Sequence, residues 1–422
     1  MERVQNQPED FGNALPPVTA QSAAPQRRNV AVLALAQALF MSVQAMGISA
    51  TPLAAYMLLD ADHKWLATVP IFLVHLGIMG TTIPASFLMA AIGRRAGFSF
   101  GALIGVGAGL VGCTALYQQS FPLMCVSAVL QGMQAAFFWY FRLAAADASE
   151  PAFRANAISL VMAGGVLAGF LGPQTAKWAV DWLAPVTFAG IYVAMAGFSL
   201  GVMLLVQLLR IPGLTQAERS AGGRPMGQIA RQPAYRVALA ASVCGYAVMT
   251  LTMSATPLAM LACGFQFTDS ATVIQAHIIA MFLPSFFTGH LIARIGVLPV
   301  IAMGGVIEFG CALVNLAGVD FANFLIANIL VGVGWNFAFV GGSTLLTTTY
   351  APAERAKVQA SHDFIVYAST ASAAALSGIL QAKAGWTVIN LAALPLMAAV
   401  VGAAIWLMTQ QRRAAAAPTP AE

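Results

Sequence analysis

Two histidines, His75 and His277, each lie inside a long apolar stretch, at matching places in the two halves of the chain. An imidazole can take up a proton, and it can bind a polar solute through either ring nitrogen. We therefore expect the pair to contact a substrate or to carry a coupling proton. The alternative is that each histidine bonds to a neighbouring backbone carbonyl or hydroxyl group.

Glu308 is an acidic residue near the middle of another apolar stretch. An unpaired charge at the centre of a membrane helix costs roughly 2.5–3.5 kcal/mol on insertion scales, so this carboxyl group must be protonated or paired. Glu308, His75 and His277 are accordingly the candidates for proton coupling. A neutral glutamic acid bonded within the helix packing is the other interpretation of Glu308.

Two further stretches are rich in aromatic rings and amide side chains. Rings offer stacking surfaces and amides offer hydrogen-bond donors and acceptors, which suits a mostly neutral, planar solute with polar edges. Arg142 could meet an anionic group, or it could close the inner end of the site. The residues that we expect to contact substrate are Gln131, Gln134, Phe137, Phe138, Tyr140, Arg142, Trp335, Asn336, Phe339, His75 and His277.

The composition indicates which elements must position these residues. Charged residues make up 8% of the 422-residue chain, against roughly 25% in an ordinary soluble domain. The hydrophobic share is 59% and the mean hydropathy is +0.79. A soluble protein of this length could not bury so much apolar surface. The composition excludes a soluble enzyme, a nucleic-acid-binding protein and a secreted disulfide scaffold, and it predicts an all-α membrane protein.

No feature of the sequence points to a cofactor, a metal or an enzyme. Gly107-x-Gly109-x-x-Gly112 matches a dinucleotide fingerprint as text, but it lies inside an apolar stretch with no preceding strand. We interpret these glycines as a small-residue face for close helix packing. The histidines and cysteines form no cluster with metal-ligand spacing, and no nucleophile–base pair stands out.

Twelve apolar stretches are long enough, at roughly 20 residues each, to cross a bilayer as helices. The longest polar connection separates the first six from the second six. The predicted domains are a disordered cytoplasmic tail at 1–29, a six-helix bundle at 30–209, a cytoplasmic linker at 210–236, a second six-helix bundle at 237–409 and a cytoplasmic tail at 410–422.

The basic residues set the expected orientation. An even number of spans puts both termini on one side, and that side receives all 20 lysines and arginines except Lys64, Lys177 and Lys383. Because cytoplasmic segments carry the positive excess, we expect both termini and the linker on the cytoplasmic side of an inner membrane. The basic excess therefore reflects topology and does not predict a nucleic-acid partner.

The two halves repeat one another. The segment 49–54 recurs letter for letter as 254–259, and His75 and Gly93 recur as His277 and Gly296. In each copy a proline, Pro52 or Pro257, removes one helical hydrogen bond. The adjacent Thr51 and Thr256 can bond the freed backbone groups, which permits bending. We interpret this device as a paired gate, with an ordinary membrane-helix kink as the alternative.

This arrangement resembles the major facilitator superfamily along essentially the whole chain. Gly93-Arg94-Arg95, Gln131-Gly132 and Gly172-Pro173 match parts of the motifs of that family. The resemblance implies two pseudo-symmetric six-helix bundles that rock about a central cavity, lined in part by the fourth and tenth spans. Ala90, Ala128 and Lys177 depart from the family motifs, and these departures disfavour proton-antiporting drug export.

Charged residues at the cytoplasmic ends of the two halves could latch them together. Exposed ion pairs contribute only about 0–1 kcal/mol each, so such a latch needs a network. Solvated loop charge that sets topology is the alternative. The residues assigned to gating are Thr51, Pro52, Thr256, Pro257, Arg94, Arg95, Asp147, Arg294, Glu354 and Asp363.

These observations predict a secondary transporter that moves a small organic solute across the inner membrane by alternating access. The aromatic and amide side chains and the weak antiporter motifs favour uptake of a planar heteroaromatic nutrient, for which riboflavin is the specific example. Drug or metabolite efflux and a non-transporting assembly protein on the same fold are the alternatives. We expect a monomer in the lipid bilayer, with protons as a possible coupling ion.

Overall fold

The computed structural model describes residues 20–150, 153–210, 223–351 and 354–416. The described chain is helical, as its composition predicts. Its α-helices are α1 (Ala20–Met57), α2 (Val69–Ile92), α3 (Arg94–Tyr117), α4 (Phe121–Phe138), α5 (Phe141–Asp147), α6 (Arg154–Ala179), α7 (Ala189–Val206), α8 (Met226–Ala230), α9 (Pro233–Ala262), α10 (Phe267–Phe282), α11 (Ser285–Ile295), α12 (Val297–Ala317), α13 (Phe321–Thr347) and α14 (Arg355–Ala416).

Nine helices of the described chain are long and apolar enough to cross a membrane, and the bent pair α10–α11 adds a tenth span. The long helix α14 is two helices joined at Gly385, whose φ of 78° interrupts it. Helix α6 has 26 residues and follows the fourth span. Dividing α14 and including α6 brings the described chain to the twelve spans that the sequence predicts.

Gly93 and Gly296 show that the sequence repeat is also a structural repeat. Gly93 has φ 84° and ψ 156° and separates α2 from α3, whereas Gly296 has φ 90° and ψ 161° and separates α11 from α12. A residue with a Cβ atom rarely adopts this positive φ. Both halves therefore turn the chain between their second and third spans with the same glycine geometry.

The helices pack as two groups. In the first half α1 packs on α6 and α7, while α4 lies between α2 and α3. In the second half α9 packs on α13 and α14, while α12 lies against α13 and α14. The groups meet where α2 contacts α14 and where α6 contacts α10, and α1 contacts both α9 and α10. The six helices that make these four contacts surround the centre of the molecule.

The ends of the helices define two faces. We call the end of the molecule with the start of α1 and the end of α14 the terminal end. The opposite end, which carries the 3-10 helix Ala61–Leu66, is the far end. The second part of the central linker contains α8, and α9 begins at Pro233, whose missing N–H is not needed in the first helical turn.

Candidate functional site: a cavity between the two halves

A cavity of about 130 Å³ lies at the centre of the molecule, between the two halves. One buried water molecule needs only about 10–15 Å³ of comparable space, so the cavity is a ligand-sized site. Its lining combines apolar side chains with neutral polar ones, and includes no Asp, Glu, Lys or Arg among the described residues. The residues that line it are Met41, Gln44, Ala45, Gly47, Ile48, Thr51, Ile71, Val74, His75, Ile78, Gln131, Trp139, Tyr246, Met249, Thr250, Met253, Ser254, His277, Ile278, Met281, Phe282 and Tyr367.

The repeated helices α1 and α9 supply matching walls. Met41, Gln44, Ala45 and Ile48 fall on one helical face and line the cavity. Each has a lining counterpart in α9 that is 205 residues further along the chain. The four counterparts are Tyr246, Met249, Thr250 and Met253. Methionine is flexible and polarizable, so a wall of this kind adapts to flat ligand surfaces.

His277 lines the cavity and carries a buried hydrogen-bond acceptor. Its ring is fully buried, and Nδ1 lies 2.9 Å from the carbonyl oxygen of Asn328 on α13. Because that carbonyl can only accept, Nδ1 carries the proton of the neutral ring, and Nε2 is left as the acceptor. Nε2 is buried without a hydrogen-bond partner among the described residues. A ligand that brings an N–H or O–H group would satisfy it.

His75 lies across the cavity, on α2, with the same tautomer. Its Nδ1 is 2.9 Å from the carbonyl oxygen of Ile71 on its own helix, so its Nε2 is also the acceptor of the neutral ring. Unlike His277, this histidine is only half-buried. Both rings make the backbone bond that was the alternative to a functional role, yet both also line the cavity.

Aromatic rings bound the cavity on the side of the terminal end. Trp139 and Tyr367, one from each half, both line it, and their ring centroids are 6.5 Å apart. Nε1 of Trp139 is buried without a hydrogen-bond partner in the described chain. Arg142 and Asp363 lie within electrostatic range of Tyr367 and Tyr246. Arg142 is therefore beside the site but does not line it.

Gln131 reaches the cavity, whereas Gln134 faces the interior of the first half. Gln131 lines the cavity beside Gly47 of α1 and donates to Ser127 Oγ at 3.3 Å. Gln134 donates to Ser199 Oγ at 2.9 Å and packs against Gly105 of α3. Residues three apart share one helix face, so it is the contacts with Ser199 and Gly105 that hold Gln134 away from the cavity lining.

Asn336 holds the break between α10 and α11 and does not line the cavity. Its Nδ2 donates to the Met281 carbonyl at 2.9 Å and to Ser285 Oγ at 2.6 Å, while Thr288 Oγ1 donates to its Oδ1 at 2.7 Å. Both polar atoms of the Asn336 amide, Nδ2 and Oδ1, therefore have hydrogen-bond partners within the protein.

The remaining predicted aromatic residues lie behind the cavity wall. Trp335 and Phe339 stack on each other at 5.1 Å, and both pack edge to face with Tyr246, which does line the cavity. Phe137 packs against Phe100, and Phe138 packs between Phe40 and Phe141. Tyr140 donates from its hydroxyl to the Thr82 carbonyl at 3.2 Å. The structure thus brings Gln131, His75 and His277 of the predicted set directly to the cavity.

Hydrogen bonds join the two halves at the far end. The backbone N–H of Gly378 on α14 donates to Thr68 Oγ1 at 3.0 Å, and a Cβ atom at position 378 would lie 2.2 Å from that oxygen. Also at the far end, at the interface of α6 and α10, Lys177 Nζ donates to Thr272 Oγ1 at 2.8 Å. These contacts close the bundle on that side of the cavity.

The predicted gate residues of α1 and α9 lie at the same depth but bond differently. Thr51 lines the cavity and shares a 3.1 Å hydrogen bond with the hydroxyl of Tyr192. Thr256 is fully buried and donates to the Thr252 carbonyl at 2.9 Å. Pro52 and Pro257 are accommodated inside continuous helices.

Three of the charged residues assigned to gating contact groups of their own half or of the linker. Arg95 donates to Gln207 Oε1 at 3.2 Å, and Asp363 pairs with His362 at 3.0 Å. Glu354 pairs with Arg224 of the linker at 2.7 Å. Arg294 is exposed at the end of α11, Arg94 begins α3, and the side chain of Asp147 lies outside the described residues.

Comparison with known proteins decides the family. A family model for the Major Facilitator Superfamily matches residues 30–319. The chain belongs to the major facilitator superfamily. It is a multi-pass membrane transporter and not an enzyme, which confirms the fold class and the family that the sequence predicts.

Individual relatives extend along nearly the whole chain. The chain is 37% identical over 377 residues to the "Riboflavin transporter RfnT" of Brucella anthropi, covering 89% of this chain and 94% of that protein. It is 30% identical to the "Uncharacterized MFS-type transporter YddS" of Bacillus subtilis, covering 78% and 80%. A solved structure of an auto-inhibited POT family peptide transporter matches with a TM-score of 0.66 at 14% identity, covering 92% and 97%, which shows a shared fold.

Sequence reasoning missed most of the walls from α1 and α9. It selected aromatic and amide residues of the fourth and tenth spans, and it passed over apolar residues such as Met249 and Met253. A signal was present, because the 205-residue offset maps the face of Met41, Gln44 and Ile48 onto Tyr246, Met249 and Met253. Tyr367 carried no signal of this kind.

Proposed function

We propose that this protein imports riboflavin, or a closely related flavin, by alternating access of the central cavity. The observation that carries the proposal is the similarity to the Brucella anthropi riboflavin transporter along almost the full length of both chains. The cavity supports it independently, because its described lining is neutral and combines aromatic, methionine and amide side chains. Such a lining suits a flat, uncharged ring system with polar edges.

The two histidines give the proposal its chemistry. A flavin ring carries an imide N–H between two carbonyl groups, so one edge of the ring offers a donor. Nε2 of His277 is a buried acceptor without a partner in the described chain. A ligand that leaves such an acceptor unpaired binds less tightly, because the desolvation cost of the acceptor is not offset. We assign the imide N–H to Nε2 of His277, and we assign Nε2 of His75 to a hydroxyl group of the ribityl chain.

The far-end contacts define the state of the transporter in this proposal. Thr68 with Gly378, and Lys177 with Thr272, hold the halves together on the far side of the bound ligand. If the terminal end is cytoplasmic, as the basic residues predict, the far end faces outward and this state is closed toward the outside. Separation of these contacts would then open the cavity to external substrate.

Uptake by purified protein in proteoliposomes tests the proposal. Labelled riboflavin should accumulate, excess unlabelled riboflavin should compete, and a flavin methylated at the imide nitrogen should compete at least tenfold less well because it lacks the donor. A flavin with an ethyl group in place of one benzenoid methyl group is the matched control, because it adds one carbon and keeps the imide N–H. Equal competition by both analogues would contradict the assignment to His277, and absence of riboflavin flux would contradict the function.

A further inference from the structure

Glu308 of α12 is a buried acid that the cavity does not use. Its side chain is fully buried, and neither carboxyl oxygen has a hydrogen-bond partner in the described part of the chain. An ionisable residue inside a membrane span is costly and is by default a candidate for function. The position therefore calls for a role other than helix packing, which an apolar side chain of similar size would serve as well.

Two glycines make room for this carboxyl group between three helices. A Cβ atom at Gly334 of α13 would lie 2.5 Å from Glu308 Cγ, so no larger residue fits there without a shift. A Cβ atom at Gly245 of α9 would lie 3.7 Å from Oε1. The carboxyl group is thus wedged between α9, α12 and α13.

In the described part of the chain, no cation bonds to the carboxyl group. Cys244 of α9 and Cys311 of α12 lie within electrostatic range of it, and both are neutral as thiols. The face that α13 presents consists of Gly334 and Ala338, which have no ionisable group. An ionised carboxylate would have no described partner here, so the site as built accommodates the neutral acid.

This site lies one residue layer behind the cavity wall. Gly245 directly precedes Tyr246, which lines the cavity, and Gly334 directly precedes Trp335, whose ring contacts the edge of Tyr246 at 5.1 Å. A displacement of α9 or α13 that changes the cavity must therefore change the space around Glu308. The two sites share the same moving helices.

We propose that Glu308 is a proton-binding site that couples transport to a proton gradient. The carboxyl group holds its proton in the closed packing described above. When α9 and α13 separate in the state open to the far end, the carboxylate takes a proton from water on that side; in the state open to the terminal end, the O–H bond breaks and the proton passes to water there. Only the O–H bond of Glu308 forms and breaks, and one proton crosses in each cycle. The identity of the cargo rests on the proposed function, but the proton site does not.

Glu308→Gln separates coupling from translocation, because the amide keeps the shape of the acid and cannot release a proton. In proteoliposomes with an inward-directed proton gradient, wild-type protein should accumulate labelled riboflavin, and a protonophore should abolish the gradient-driven part. Gradient-driven accumulation by the variant should be at least tenfold lower than by wild type. Riboflavin exchange by the variant without a gradient should stay within about threefold of the wild-type rate. Cys311→Ala, one turn away on α12, is the control and should keep both activities.

Two outcomes would overturn the proposal: gradient-driven accumulation by Glu308→Gln at the wild-type level, or equal loss of accumulation and exchange in a folded variant. If Glu308→Gln does not fold, Glu308→Asp takes its place. It keeps the carboxyl group and should retain accumulation with an altered pH profile, whereas an unaltered profile would count against the site.

A readout without substrate keeps this test distinct from the proposed function. Infrared spectroscopy of purified protein at neutral pH should show a carboxylic acid C=O band that Glu308→Gln removes. If wild-type protein shows the band but moves no riboflavin, the proposed cargo fails and the proton site stands. If the band is absent from wild-type protein, the proton site fails whatever the cargo is.

Discussion

The two halves of this transporter share a sequence repeat but differ in the hydrogen bonds around it. In the first half the bond that His75 makes among the described residues is to the Ile71 carbonyl of its own helix. In the second half His277 bonds across to Asn328 of α13, whose Nδ2 in turn reaches Thr256 Oγ1 of α9 at 3.4 Å. One network thus ties three helices of the second half together.

The link to Thr256 follows from a single position on the fourth and tenth spans, because the Asn328 side chain makes it. Gly132 pairs with Gly332 in the repeat, and the same 200-residue offset pairs Ala128 with Asn328. Alanine cannot bond to a threonine across the helix interface, and Thr51 is satisfied instead by the hydroxyl of Tyr192 at 3.1 Å. The repeat therefore preserves backbone packing, while the polar networks of the halves have become specialised.

The packing glycines provide the largest test of this comparison. A Cβ atom at Gly132 would lie 2.0 Å from the Val74 carbonyl oxygen, whereas one at Gly332 would lie 2.7 Å from the His277 carbonyl oxygen. Both obstacles are backbone atoms, so α2 and α4, or α10 and α13, must move apart. We expect Gly132→Ala to cost about 3 kcal/mol or more and Gly332→Ala about 1–2 kcal/mol. Thermal unfolding in detergent measures both.

Gly107→Ala is the control for these substitutions. A Cβ atom at that position would meet nothing within 4 Å, so the unfolding midpoint should not fall. Equal losses from Gly132→Ala and Gly332→Ala would show that the two halves are packed equally tightly. A loss from Gly107→Ala as large as either would mean that the effect is not steric.

The histidines provide the second test. His277→Phe removes a buried acceptor, so transport efficiency for riboflavin, the proposed substrate, should fall roughly tenfold to a hundredfold. His75→Phe should cost less than tenfold, since His75 is half-buried and bonds only within its helix. His277→Gln restores an acceptor and should recover part of the activity. Initial uptake rates against substrate concentration give these values, and equal effects of both Phe variants would remove the asymmetry.

The spans, the repeat and the cavity histidines could be predicted from the sequence, because each depends on local apolar patterning or on literal recurrence. The orientation of individual side chains could not. Gln131 and Gln134 are the same residue type three positions apart, but Ser199 and Gly105 from other helices draw Gln134 away from the cavity. Asn336 has a substrate-like chemistry, yet the break between α10 and α11 uses all of its polar atoms. Such competition depends on contacts that are distant in the chain.

The linker provides the smallest expected effect. Arg224 makes two side-chain bonds to Glu354, at 2.9 and 2.7 Å, and holds the pKa of that carboxyl group well below its usual range. The position matching Glu354 in the first half is Phe153, which cannot form such a pair. Because Arg224 is 47% exposed, the pair is weak, and Arg224→Ala should lower the unfolding midpoint by at most a few degrees.

The effect of Arg224→Ala on stability should depend on pH. A carboxyl group with a lowered folded-state pKa contributes stability that is present at neutral pH and is lost as the pH falls through the folded-state pKa. The gap between wild type and Arg224→Ala should therefore be full at neutral pH and should narrow below about pH 4, the usual range of a glutamic acid. Arg231→Ala, at an exposed arginine of the same linker, is the control. If the difference in unfolding midpoint between wild type and Arg224→Ala stays constant at acidic pH, packing of the Arg224 side chain stabilises the protein and the ion pair does not. The ion pair would then be no source of a stability difference between the two halves.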